Sequence, residues 1–275
     1  MGYILKLSLD SSRDIKLLQI TDTHLFEPED GCLLSVNTFE SFKAVVNAIR
    51  SNEIEFDAIL ATGDISQDHT AVSYQRFEDG IALLKKPCFW LPGNHDFKPE
   101  MHSILPSTQI QTTQHVVLND KWQIILLDSQ VEGVPHGRLS EEQLALLDAK
   151  LSEYPNHKTV VLLHHHPVLV GSHWLDQHSL KDADAFWSIL SKYDKVEAVL
   201  CGHVHQDFDV IYQGVRVVAT PSTCVQFKPN SDDFALDNLS PGWRMLTLTH
   251  YGELELEVGR LPDGEFLPDF SAGGY

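Results

Sequence analysis

Cysteine is scarce and scattered. The chain has only four, Cys32, Cys88, Cys201 and Cys224, and no two form a Cys-x-x-Cys pair. That excludes a zinc ribbon and a dense disulfide framework, and predicts reduced thiols in a cytoplasmic protein. Positive charge is short as well: 20 Lys and Arg against 39 Asp and Glu leave a formal net charge of -19. A field of that sign repels a phosphate backbone, so nucleic acid is not an expected partner. Bound metal cations are what could still draw in a small anionic substrate. Nowhere do about 18 apolar residues run together, so no membrane partner is expected. The start, MGYILKLSLDSSRD, lacks the small-residue cleavage site of an export signal. No Ser/Gly/Pro-rich linker or repeat divides the 275 residues, which predicts a single domain over 1–275. The sequence assigns no oligomeric state.

Apolar runs of strand length recur at Ile15 to Ile20, Ala58 to Ala61, Cys88 to Leu91, Ile124 to Leu127, Val160 to Leu163 and Val196 to Leu200. Helical patterns lie between several of them. From Asn37 to Arg50 the residues Phe39, Phe42, Val45, Val46 and Ile49 share one face, and Asn37 with Glu40 marks the start. Ser140 and Gln143 make a similar capping pair ahead of Leu144, Leu147 and Leu151, and Lys181 to Lys192 predicts a further helix. Towards the end the pattern turns to hairpins, around Gly214 and around Tyr251-Gly252. Runs that are apolar on both faces need cover on both sides, so an α/β sandwich of sheets flanked by helices is expected.

The chemistry lies at the ends of these apolar runs. Thr21-Asp22-Thr23-His24 comes after the first, Gly63-Asp64 after the second and Gly93-Asn94-His95-Asp96 after the third; His164-His165-His166-Pro167 and Gly202-His203-Val204-His205 come after two later ones. Five strand ends with metal-capable side chains can converge on one crevice, because ligands bind at the carboxyl ends of strands. Asp22 with His24, and His203 with His205, are one residue apart, which in extended backbone points each pair to one side. Taken alone, an Asp-x-His or His-x-His is weak evidence, and Gly-Asn-His-Asp could be a mere turn; five together at strand ends are not ordinary surface composition. Two neighbouring ions need a shared ligand, and Asp64 at its Gly-Asp turn is the expected bridge. Mixed carboxylate, imidazole and amide donors suit Fe, Mn or Zn better than Ca or Mg.

The order D-x-H, G-D, G-N-H-D, H and G-H-x-H over residues 15 to about 210 resembles the calcineurin-like metallophosphoesterases. The longer strings QITDTHLF, WLPGNHDF, LLDSQVEGVPHG, LLHHHP, WLDQHSL, CGHVHQ and ATPSTCVQFKP resemble the bacterial class III cyclic-AMP phosphodiesterases over nearly the whole chain. The resemblance implies a four-layer αββα sandwich of two mixed sheets, with hairpins over 208–260 completing it. It implies Asp22, His24, Asp64 and His205 on one divalent ion, and Asp64, Asn94, His164 and His203 on the other. Fe2+ or Mn2+ come first, with Zn2+ the third candidate. Where the family reads His-His-Pro-Pro this chain has a triple histidine, so a one-residue slip would move the role of His164 to His165.

The implied reaction is hydrolysis of 3',5'-cyclic AMP to 5'-AMP by a hydroxide held on the metal pair. His24, Asp64, Asn94, His95, His164 and His205 are the implied substrate contacts. His95, beside Asn94, is the expected donor to the leaving oxygen, with Asp68 or Asp96 orienting it. Trp174, His178, Gln226 and Phe227 are candidate pocket-wall residues, although aromatics there are more often packing. The alternatives are a broad-specificity phosphodiesterase or phosphatase and a noncatalytic nucleotide sensor; a lost ligand would mark the sensor, and none is missing. The acidic stretch after Leu261 could be ordered or loose.

Overall fold

A computed structural model describes residues 5–274. Two sheets face each other across a dry interior. The six-stranded sheet has the order Leu254–Arg260, Gly242–Leu248, Ile15–Ile20, Ala58–Ala61, Cys88–Trp90, Ile110–Gln111. The seven-stranded sheet runs Leu5–Lys6, His115–Val117, Trp122–Leu126, Lys158–Leu162, Val196–Cys201, Val215–Ala219, Phe208–Tyr212. Both are mixed: parallel strands form the middle, and each C-terminal hairpin adds antiparallel edge pairing to a different sheet. The turn at Gln213-Gly214 has both φ angles positive, 49° and 86°, the twist that suits a two-residue hairpin.

Side-chain alternation divides each strand between two cores. Ile15, Leu17, Ala58, Leu60 and Phe89 meet Ile124, Leu126, Val160, Leu162, Ala198 and Leu200 between the sheets. The opposite faces take helices. Phe42, Val45, Val46, Tyr74, Phe77 and Met101, from helices Thr38–Ser51, Ala71–Ala82 and Lys98–Ile104, cover Leu18, Ile20, Ile59 and Ala61. Leu147, Leu151, Phe186, Trp187 and Leu190, from Glu141–Glu153 and Ala183–Leu190, cover Ile125, Val161 and Val199. The result is the helix, sheet, sheet, helix layering expected from the sequence.

Local signals account for most boundaries. The Asn37 side chain accepts from the Glu40 N–H and that of Ser140 from the Gln143 N–H, at the two predicted helix starts. The helix expected over Lys181 to Lys192 is shorter, Ala183–Leu190, and the carboxylate of its first flanking residue Asp182 accepts the Leu139 N–H instead of capping the helix. The helix Ala71–Ala82 was not named from the sequence, although Thr70 caps it and Tyr74, Phe77 and Ile81 carry its stripe. All four cysteines are free thiols, and among the described residues no helix is long and apolar enough to cross a membrane.

Candidate metal centre

The loops after the strands Ile15–Ile20, Ala58–Ala61 and Cys88–Trp90 of one sheet meet those after Lys158–Leu162 and Val196–Cys201 of the other. Asp22, His24, Asp64, His164, His203 and His205 are all buried there, with Asn94 and His95 half-buried. The five segments singled out in the sequence therefore do form one crevice.

The path by which they do so differs from a simple pleat. Asp22, His24, Asp64, His203 and His205 have φ of 54°, 45°, 50°, 65° and 51°. These are left-handed conformations, which cost a side-chain-bearing residue about 1–2 kcal/mol each. The expectation that extended backbone aims both members of each pair to one side is thus corrected. Tight turns aim the side chains, and the two members of the second pair part company: His205 stands against Asp22 and His24, while His203 joins His164 and His165. Short backbone bonds hold these turns, Asp22 N–H to Gly63 O at 3.0 Å and His24 N–H to Asp64 O at 2.9 Å. Glycine is required beside them. Gly63 has φ of 93° and a Cβ there would lie 2.6 Å from His164 Nδ1, while a Cβ on Gly93 would overlap the Asp64 carboxylate.

Hydrogen bonds fix the imidazole tautomers. His24 Nδ1 pairs with Gln67 Oε1 at 2.7 Å, His164 Nδ1 with Thr62 O at 2.8 Å and His205 Nδ1 with Val225 O at 2.9 Å. Each partner oxygen only accepts, so each Nδ1 donates and each Nε2 of the neutral ring presents a lone pair. Those lone pairs converge: His24 Nε2 lies 3.2 Å from His205 Nε2, and His164 Nε2 lies 3.2 Å from both Asp64 Oδ2 and Asn94 Oδ1. His205 Nε2 is 3.4 Å from Asp22 Oδ1. The buried His203 Nε2 has no hydrogen-bond partner. Acceptors facing acceptors in a dry site are what a divalent cation satisfies, so the residues present fit metal binding.

The electrostatics agree. Burial drives His24 down to about 3 and holds His165 and His203 well below the usual imidazole range, so these rings are neutral and ligand-ready. Burial also opposes ionisation of Asp64, but the neighbouring imidazoles His164 and His95 outweigh it and keep the carboxyl well below its ordinary value. Burial lowers His164 too, yet Asp64 reverses that and lifts it to about 9: this pair attracts positive charge, as proton or as metal.

Of the triple histidine, His164 is the one beside Asp64 and Asn94, whereas His165 Nδ1 shares a 2.8 Å hydrogen bond with the Ser129 hydroxyl. His166 stacks on His203 and lies 3.7 Å from Asp176. The His95 backbone N–H donates to Asp64 Oδ1 at 2.8 Å and its ring stands edge-on to His24. Asp96 accepts from the N–H groups of Ile65, Ser66 and Gly93 and from the Tyr74 hydroxyl; Asp68 accepts from the Glu27 and Thr70 N–H groups. Both carboxylates therefore brace the loops around His95. Cys224 was not anticipated: its Sγ lies within 4.8 Å of ligand atoms on His24 and His205.

A cleft of ≈ 510 Å³ opens over the centre, lined by Asn94, His95, His203, Trp174, His178 and Phe234 among others. Trp174 and His178 are where the sequence placed them. Gln226 and Phe227 are instead buried, Gln226 donating to Ser222 O and Phe227 stacking on His205 at 4.2 Å.

The description "calcineurin-like phosphoesterase" matches residues 15–207. The chain belongs to that family. It is 63% identical over 265 residues, 96% of this chain and 97% of the relative, to a protein of Vibrio vulnificus named 3',5'-cyclic adenosine monophosphate phosphodiesterase CpdA. It is 51% identical, over 100% of both chains, to the protein of the same name from Escherichia coli K12. Among solved structures, a dimetal phosphatase from Danio rerio matches with a TM-score of 0.61 at 16% identity, covering 90% of this chain and 98% of that one. This last likeness identifies the metallophosphoesterase fold.

Proposed function

We propose that this chain is a phosphodiesterase that hydrolyses 3',5'-cyclic AMP to 5'-AMP with two divalent ions, lowering cyclic AMP in the cytoplasm. The observation that carries it is the convergence of buried lone-pair donors beneath the cleft, in a chain 63% and 51% identical to proteins named for that activity. Four free thiols suit a reducing compartment. The whole chain acts as one domain in this reading, since each C-terminal hairpin completes one of the two sheets.

Asp22, His24, Asp64 and His205 would hold one ion, and Asp64, Asn94, His164 and His203 the other, with Asp64 shared. Fe2+ or Mn2+ are the candidates first in line, then Zn2+. Such ions lower the pKa of a water and neutralise phosphate oxygens. The protein does the remaining work. Gln67, Thr62 and Val225 lock three imidazoles in the ligand tautomer. Asp64 is anchored by the His95 N–H, so the carboxylate is fixed to the backbone that carries His95. The half-buried His95 side chain lines the cleft, where it meets the leaving 3'-oxygen and supplies its proton, an assistance worth about 10²–10⁴-fold.

Phosphorus NMR of cyclic AMP with metal-stripped protein, before and after adding Mn2+ or Fe2+, tests the reading. Metal-dependent appearance of 5'-AMP alone is the expected result. An unchanged spectrum from protein carrying two ions would overturn it.

A further inference from the structure

We propose that Trp174 and Phe234 form the platform on which the nucleobase lies, setting base selectivity while the phosphate is handled at the ligand end of the cleft; this rests on the cyclic-nucleotide reading above. The same cleft is lined by Asn94, His95 and His203 and by the rings of Trp174 and Phe234, so a molecule bound by its phosphate reaches both. Its volume, ≈ 510 Å³, lies in the range of sites that engulf drug-sized ligands.

The rings are held in place before any ligand arrives. Trp174 and Phe234 meet edge to face at 5.0 Å and 67°. Phe227 backs both, at 5.0 Å from Trp174 and 5.7 Å from Phe234. Phe227 is itself fully buried and stacks on His205 at 4.2 Å with only 10° between the planes. The wall is thereby registered to a metal-ligand candidate through one rigid ring. Trp174 and Phe234 are only half-buried and both line the cleft, so a flat base that enters it meets aromatic surface. A phosphoesterase for small or glycerol-based esters has no use for such a wall. A purine covers more of it than a pyrimidine does.

Kinetics of Phe234→Leu and Trp174→Leu, with Trp174→Phe as the conservative control, test this on three substrates: cyclic AMP, cyclic CMP and the base-free 3',5'-cyclic phosphate of methyl riboside. Leucine keeps apolar volume at the cluster while removing the stacking face. Stacking of one base supports an expected rise of about tenfold in KM for cyclic AMP in each leucine variant. kcat should be unchanged, the loss smaller for cyclic CMP and absent for the base-free ester, and Trp174→Phe should recover cyclic AMP binding. Equal losses on all three substrates, or no change in KM in either leucine variant of a chain active on cyclic AMP, would overturn the platform alone. Wild-type protein that cleaved the base-free ester and left cyclic AMP intact would sink the cyclic-AMP reading and the platform with it.

Discussion

At the scale of single residues, the decisive feature is which nitrogen each imidazole keeps free. His164 donates from Nδ1 and turns Nε2 to Asp64 and Asn94, whereas His165, with Nδ1 on the Ser129 hydroxyl and Nε2 unpaired, pairs with neither of those two side chains. On the proposed two-ion centre, His164→Ala should therefore cost one ion, read by metal analysis of dialysed protein, while His165→Ala keeps both. The reverse outcome would mean that the triple histidine is used one residue further on. His95→Ala should lower kcat by about 10²–10⁴-fold with metal content intact; loss of an ion in that variant would show that the ring supports the metal site and does not act on the leaving group. The seven candidate ligands were legible because each sits at a strand end in a short motif. Their partners were not: Gln67, and the Thr62 and Val225 carbonyls, lie from 20 to 102 residues away from the rings that they orient. The left-handed backbone at five ligands was equally hidden, since only glycine announces positive φ in a sequence.

Secondary-structure elements were legible where periodicity met a cap, as in Thr38–Ser51 and Glu141–Glu153. The short strands Leu5–Lys6, Ile110–Gln111 and His115–Val117 gave no such signal, because two or three residues carry no period, and the edge strand Leu5–Lys6 finds its place only against Val116 and Val117 far along the chain. Helix Ala71–Ala82 was missed although Tyr74, Phe77 and Ile81 make its stripe. Its Gly80 weakened the helical signal, and the fold supplies the reason for that glycine: a Cβ there would strike the buried Phe42 ring. Propensity alone favours Gly80→Ala by up to about 1 kcal/mol. Overpacking of a ring that has nowhere to go costs about 1–3 kcal/mol, so the variant should be less stable by urea denaturation. A more stable variant would show that the Phe42 and Phe77 stack yields easily. Truncation of the sheet interface at Ile124→Ala should cost about 2–5 kcal/mol, since that residue is fully buried between the sheets.

At the scale of the whole molecule, the layering and the crevice were both readable, because the same apolar runs that specify buried strands also carry the ligands at their ends. The acidic stretch after Leu261 was not. Asp269 donates its N–H to Leu34 O, Ala272 packs against the apolar cluster that contains Val36 and Phe227, and Gly274 lines the cleft, contacts that no local pattern encodes. Metal loading should raise the melting temperature. Ligand at a thousandfold its Kd adds about 4 kcal/mol, which for a chain of this size is a rise of about 8–16 °C. Scanning calorimetry with and without a chelator measures it, and an unchanged midpoint would mean that the lone-pair cluster binds no ion tightly.

The candidate ligands come from both sides of the sandwich: Asp22, His24, Asp64 and Asn94 hang from the six-stranded sheet, and His164, His203 and His205 from the seven-stranded one. Each ion of the proposed pair would be a clasp across the seam, tying chain segments as much as 183 residues apart, as Asp22 and His205 are. While the clasp is shut, the amide hydrogens of Ile15–Ile20 and Val196–Cys201 should exchange with solvent in concert, at the rate of global opening. With the clasp undone by a chelator, the two sheets should keep separate clocks.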